Sequence, residues 1–401
     1  MSLNEQASAD RAHIAFFGLR NAGKSSVVNA VTSQQLSLVS DTPGTTTDPV
    51  RKAMEILPAG PVVVIDTPGI DDVGELGRQR VKRALDTINQ TDVAVLIADG
   101  TLGLRDGDRE LISAFEKKNI PYIVAYNKAD LPEFKKREFN KNEIAVSAKN
   151  GENIKELREL IASLAKGEGN DKRICADLIE PDDVVVLVTP IDAAAPKGRL
   201  ILPQQQTLRD ILDANAISLV TRETELSSAL DSLSKQPSLV ITDSQAFGRV
   251  SRDVPPEILL TSFSILFARY KGDLAEAVRG AAMLDKLSDG DRVLISEGCT
   301  HHRQCGDIGT EKLPKWIREY TNKQLEFSFT SGGEFPDDLS EYALVVHCGG
   351  CMLNEREMKS CVRRCIDSGT PITNYGIAIA QIHGILRRSL EPFPEILSLL
   401  D

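Results

Sequence analysis

The run Gly18-Leu19-Arg20-Asn21-Ala22-Gly23-Lys24-Ser25 restricts the possible folds of this chain more than any other stretch. It has the spacing Gly-x-x-x-x-Gly-Lys-Ser and follows the apolar stretch Ile14-Ala15-Phe16-Phe17. That order predicts a buried strand, a tight turn and a helix. Gly18 and Gly23 allow successive backbone N–H groups to curl round a phosphate, and the helix N-terminus adds positive potential. Lys24 then serves the terminal phosphates and Ser25 the Mg²⁺ ion, with Ser26 beside them in the first helical turn.

Three further motifs follow, each at the carboxyl end of a predicted strand. Asp66-Thr67-Pro68-Gly69 ends Val62–Ile65; its carboxylate can hold Mg²⁺ through water, and the Gly69 amide can sense a γ-phosphate. Asn127-Lys128-Ala129-Asp130 ends Tyr122–Tyr126, and Asp130 can accept both hydrogens of the guanine N1–H and N2–H₂ edge, a donor pair that adenine lacks. Ser147-Ala148-Lys149 ends Glu143–Val146 and can back the base. Each motif alone is an ordinary turn. In this order they line the edge at which an open α/β sheet binds ligands, and the chain resembles small GTPases of the translation-factor type over about residues 11–165.

Residue 70 is Ile70, where Ras-like enzymes carry the glutamine that orients water, so hydrolysis needs help from elsewhere. Asn21, together with Pro43-Gly44-Thr45-Thr46-Thr47-Asp48, resembles GTPases that use a bound K⁺ to stabilise charge beside the β- and γ-phosphates. By that resemblance Asn21 ligates K⁺ and Thr46 serves Mg²⁺; Thr45 is the alternative one residue away, and Asn21 can also simply cap the turn. Asn21, Lys24, Thr46, Asp66 and Gly69 are the expected catalytic set.

At 401 residues the chain exceeds one ordinary core. Its net charge of −11 comes without a basic block, which argues against nucleic acid and anionic membrane as main partners. No apolar run is long enough for a membrane span and the N-terminus is polar, so a cytoplasmic location is expected, where cysteines act as ligands or buried thiols. Periodicity predicts a helix over 154–164, then a polar, glycine-containing linker. A second unit follows with the strand Val184–Val188, the apolar run Leu200–Leu202, a helix near 206–212 and the strand Ser238–Thr242. It reads as an α/β dimerisation or docking module. A third unit alternates a helix near 274–287, the strand Arg292–Ile295, a helix near 315–320, and the strands Glu326–Phe329 and Tyr342–Val346. The expected class is therefore α/β with three domains: a P-loop GTPase fold at 1–168, then parallel-sheet units with flanking helices at 175–262 and 263–401.

The chain has five His and seven Cys, and they cluster. Cys299, His301, His302 and Cys305 follow one predicted strand; His347, Cys348 and Cys351 follow another. A parallel sheet brings both groups to one rim. Cys348-Gly349-Gly350-Cys351 with Cys299 supplies three soft ligands, which suit zinc or an iron–sulfur cluster. Closed zinc would want a fourth ligand, and His301, His302, Cys305 and His347 all compete for that place. A redox dithiol leaves the distant Cys-x-His unexplained. Cys361 and Cys365, four apart on a predicted helix, read as buried thiols; His13 and His383 read as structural.

The pattern Cys299-x-His301, then His347-Cys348-x-x-Cys351, appended to a potassium-type GTPase, resembles the [FeFe]-hydrogenase maturation GTPases along the full chain. The resemblance implies that Cys299, Cys348 and Cys351 hold a [4Fe–4S] cluster with an exchangeable fourth ligand, His347, His301 or Glu297. It implies GTP, Mg²⁺ and K⁺ as cofactors, and a homodimer or higher homo-oligomer that takes a di-iron precursor from radical-SAM maturases and delivers it to apo-hydrogenase. A zinc-stabilised regulatory GTPase of tRNA or ribosome biogenesis is the competing expectation, since the phosphate loop and the Pro43–Asp48 segment resemble that group too.

Overall fold

The apolar run before the phosphate loop forms strand β1 (Ala12–Phe17), and its side chains feed two opposite cores. The computed structural model describes residues 11–33, 49–69, 86–165, 172–191, 200–298, 307–332, 335–336, 338–351 and 353–400. Thr46, Ile70, Cys299, His301, His302 and Cys305 lie outside the described residues. The chain divides into two compact units, residues 2–170 and 171–401.

In the first unit β2 (Val50–Ile56), β3 (Gly60–Asp66), β4 (Val93–Asp99), β5 (Tyr122–Asn127) and β6 (Glu143–Ala145) join β1 in the order β2-β3-β1-β4-β5-β6. Only the edge strand β2 runs antiparallel among these six. Strand alternation puts Ile14 and Phe16 on one face, under the helices Lys24–Thr32 and Ile154–Ala165. Ala15 and Phe17 face the other way, where Phe17 meets Phe115 of the helix Asp106–Lys117 with ring centroids 5.0 Å apart. The helix predicted over 154–164 buries Ile154, Leu157 and Ile161, as its 3.6-residue spacing requires.

Among the described residues the second unit holds two four-stranded sheets, every pairing parallel. The first comprises β7 (Val184–Val188), β8 (Ile217–Thr221), β9 (Leu239–Thr242) and β10 (Leu259–Ser262), ordered β10-β9-β7-β8. The second comprises β11 (Arg292–Glu297), β12 (Glu326–Ser331), β13 (Leu344–His347) and β14 (Ile372–Asn374), ordered β12-β11-β13-β14. One apolar core draws Val185 and Leu187 from the first together with Ile377, Ala380 and Phe393 from beyond the last strand, so residues 171–401 pack as a single body. The apolar run 200–202 adds no strand. Leu202 opens the helix Leu202–Asp213, because Pro203 sits in its first turn and the Gln204 side chain accepts the Ile201 N–H at 3.1 Å. The helix expected over 274–287 is α-helical only across Leu274–Ala282 and tightens to 3₁₀ over Met283–Lys286.

Candidate functional site

Backbone conformation shapes the phosphate loop. Asn21 and Gly23 have φ of 63° and 85°, so the chain curls and presents successive N–H groups on one side. A Cβ on Gly18 would lie 2.6 Å from the Ile97 carbonyl, and one on Gly23 would lie 2.2 Å from Asn127 Nδ2. No side chain fits at either position. The Lys24 ammonium, on a mostly buried side chain, pairs with the Asp66 carboxylate. The residue expected to meet phosphate and the one expected to serve Mg²⁺ thus converge on one spot, with Ser25 and Ser26 in the same helical turn as Lys24. Thr67 hydroxyl donates to the Phe16 carbonyl at 2.7 Å and ties the Asp66–Gly69 turn to β1.

The base-reading loops are linked through Asn127. Its Nδ2 donates to the Ala22 carbonyl of the phosphate loop at 3.0 Å, and its Oδ1 accepts the Ala148 N–H at 3.2 Å. Asp130 Oδ1 accepts the Ser147 hydroxyl at 2.7 Å, and the exposed Lys149 ammonium lies 3.8 Å from its other oxygen. The Ser147 bond is the main cause holding the Asp130 carboxyl below its ordinary range. A residue that motif reading passed over, Asp99 at the end of β4, receives the Lys128 ammonium at 2.5 Å. Burial pushes the Asp99 carboxyl up, but hydrogen bonds from Lys128 and Thr101 outweigh it and leave the group below its usual value. Its only sequence signal is its place at a strand's carboxyl end.

Gly298 and Cys348 meet at the point where strand order reverses in the last sheet. β11 leads to β12 on one side, while β13 and β14 lie on the other, so the β11–β13 seam is the topological switch point. Ser296 pairs with His347 in register, and the Cys348 N–H donates to the Ser296 carbonyl at 2.8 Å. Gly298 N–H then donates to Cys348 Sγ at 3.1 Å. The described chain stops there, immediately before Cys299. Gly350, at φ 61°, makes the turn that leads to the half-buried Cys351. This soft, hydrogen-bonded donor set fits a thiolate-bound group, although among the described residues no three His, Cys, Asp or Glu side chains converge on one point.

The two described candidates for a fourth ligand face opposite ways. Glu297 continues the Val293–Ile295 face, where its carboxylate lies 3.5 Å from the Tyr375 hydroxyl. His347 continues the Val345 face, beside the Phe335 ring. Its Nδ1 is 2.7 Å from the Cys348 carbonyl. Burial would lower the imidazole's affinity for a proton, but the Cys348 and Cys361 sulfurs reverse this and raise it well above the ordinary value. Burial would likewise raise the Cys348 thiol, but His347 holds it below its ordinary value. Cys365 is fully buried, and desolvation pushes its thiol up to about 12. His13 bonds the Gln90 carbonyl at 3.1 Å and His383 stands edge-on to Trp316.

Similarity to known proteins follows the same division of the chain. Residues 13–128 match the family model described as a 50S ribosome-binding GTPase, 174–272 the hydrogen maturase F dimerization domain, and 275–392 the hydrogen maturase F tetramerization domain. GTPase Der of Kosmotoga olearia is 37% identical over 134 residues, covering 32% of this chain and 30% of that protein. The tRNA modification GTPase MnmE of Dichelobacter nodosus is 33% identical over 162 residues, covering 39% and 35%. The chain thus spans about a third of the length of the curated relatives it matches. A crystal structure of a probable GTP-binding protein engB is 26% identical, with a TM-score of 0.32, and covers 39% of this chain and all of that one. The dimerization and tetramerization matches support a homo-oligomer. No helix among the described residues is long and apolar enough to cross a membrane. Because the two hydrogen maturase F matches together take in more than half of the chain, behind a P-loop GTPase fold, it belongs to the hydrogen maturase F family of hydrogenase maturation GTPases.

Proposed function

We propose that this chain is a GTP-hydrolysing scaffold that holds a [4Fe–4S] cluster on Cys299, Cys348 and Cys351 and assembles the di-iron precursor or delivers it to apo [FeFe]-hydrogenase. The observation that carries this reading is the Gly298 N–H bonded to Cys348 Sγ at 3.1 Å. Consecutive Cα atoms are about 3.8 Å apart, so the residue that leads into Cys299 already touches the first thiol of the Cys348–Cys351 pair. Family membership supports a GTPase unit followed by dimerization and tetramerization domains; the division into a dimerisation domain at 175–262 and a cluster-bearing domain at 263–401 is part of the proposal.

Within the GTPase unit, Gly18 to Gly23 and Lys24 would bind the phosphates of GTP. Ser25, Thr46 and Asp66 would hold Mg²⁺ and Asn21 would hold K⁺, the two ions supplying positive charge beside the β- and γ-phosphates. Asn127, Lys128 and Asp130 would select guanine, backed by Ser147 to Lys149. Three thiolates leave one iron of the cluster open to an exchangeable ligand. The carboxylate of Glu297 and the imidazole of His347 stand on opposite faces of the sheet edge, and His301 is the third candidate. The expected partners are the radical-SAM maturases and the apo-hydrogenase, in the cytoplasm. The test is activation of apo-hydrogenase by this chain purified after co-expression with both maturases. Activation is expected from wild type and none from Cys348→Ser. Equal activation by both proteins would sink the carrier reading.

A further inference from the structure

Lys271 ends the helix Phe263–Lys271 and is only 4% exposed, although a lysine is seldom buried without a partner. Its Nζ donates to the Leu353 carbonyl at 3.3 Å and stands 5.8 Å from the Phe267 ring centroid. Gly272 follows at once, and a Cβ there would meet the Ala268 carbonyl at 3.1 Å and Met358 at 3.8 Å. The helix end is therefore drawn close against the helix Glu355–Asp367, which carries Met358 and starts just beyond Cys351.

Leu353 packs against Gly298, which precedes Cys299 in the chain, and against Gly350 of the Cys348–Cys351 turn. Its N–H donates to the Gly350 carbonyl at 3.0 Å, closing a turn around Cys351. Its side chain lies over both loops: a Cβ on Gly298 would come within 2.6 Å of Leu353 Cδ1, and one on Gly350 within 3.8 Å. The next residue, Asn354, caps the following helix by accepting the Glu357 N–H at 2.8 Å. Lys271 therefore holds the backbone of a residue that packs against both Gly298 and Gly350.

We propose that Lys271 is a positioning residue of the iron–sulfur site: through the Leu353 carbonyl it sets the spacing of the two cysteine loops, and its ammonium biases the potential of the cluster they hold. This rests on the cluster reading above. A cluster held by three thiolates carries net negative charge, and nearby charge and hydrogen bonding set its reduction potential.

The test compares full-length wild type with Lys271→Met and Lys271→Gln after anaerobic reconstitution. Midpoint potentials come from an EPR-monitored redox titration. Iron-free samples are titrated with Co²⁺ and read by thiolate-to-cobalt charge-transfer absorption. Both variants should take up iron at a more negative midpoint potential. Lys271→Met, which also lacks the donor, should give a weaker charge-transfer band, while GTP turnover stays at the wild-type rate. A wild-type potential in both variants overturns the proposal and leaves the cluster reading intact. If the methionine variant does not fold, a wild-type potential in the glutamine variant alone does the same. Wild-type protein that takes up no iron overturns the cluster reading and this proposal with it.

Discussion

Gly298 donates its backbone N–H to the sulfur of Cys348, which makes residues fifty positions apart direct neighbours at the carboxyl ends of β11 and β13. The contact needs a residue without a side chain, because Leu353 occupies the space a Cβ would fill, and it sits at a strand-order reversal, where open α/β sheets bind their ligands.

Gly298→Ala is expected to push Leu353 aside and part the two loops. Iron content after reconstitution should fall well below wild type, and Leu353→Ala in the same chain should restore most of it. Wild-type iron content in Gly298→Ala would show that the loop spacing does not depend on this contact.

Asp130→Asn replaces a carboxylate that accepts the Ser147 hydroxyl and is placed to accept the guanine edge. Hydrogen bonds to a charged group are worth about 1.5–3 kcal/mol, so GTP affinity should drop roughly 10- to 100-fold or more. Xanthosine triphosphate, which presents a carbonyl where guanine has its amino group, should bind the variant better than GTP does. Unchanged GTP affinity by calorimetry would remove Asp130 from base recognition.

Asn21 adopts φ 63°, a conformation that asparagine tolerates and glycine adopts freely. Asn21→Gly therefore keeps the turn while removing the amide. Wild type should hydrolyse GTP faster in K⁺ than in Na⁺, and Asn21→Gly should lose that preference. If the preference survived, Asn21 would be a turn residue and nothing more.

Asp99 gives a pH signature. Its carboxyl is held below the ordinary value of 3.8, so the stability it contributes is complete above that value and is lost as pH falls through its lower folded value. Urea unfolding should show wild type more stable than Asp99→Asn by a constant margin near neutral pH. The margin should narrow as pH drops below about 4. A margin that held steady into strong acid would contradict the Lys128–Asp99 pairing as its source.

The placement of the candidate nucleotide motifs was legible because they are short, contiguous and sit at strand ends. Gly18 to Ser25, Asp66 to Gly69, Asn127 to Asp130 and Ser147 all come to the carboxyl edge of one sheet. The bonds between those motifs were not legible: Asn127 to Ala22 and Lys128 to Asp99 join residues 105 and 29 positions apart. The same holds in the second unit. The strands under both cysteine loops could be read from apolar runs, yet the opposed faces of Glu297 and His347 depend on register. Lys271 and Leu353 carry no motif at all; they matter because a helix end and a loop meet. Leu202 fell on the helix side of its boundary because capping by Gln204 and Pro203 outweighed the apolar run before it.

The most direct test of the central claim is anaerobic reconstitution of wild type and Cys299→Ser, with metal analysis and EPR of the dithionite-reduced samples. A [4Fe–4S] signal in wild type that disappears in Cys299→Ser is the predicted result. Stoichiometric zinc with no iron uptake, or an undiminished cluster signal in Cys299→Ser, would contradict it.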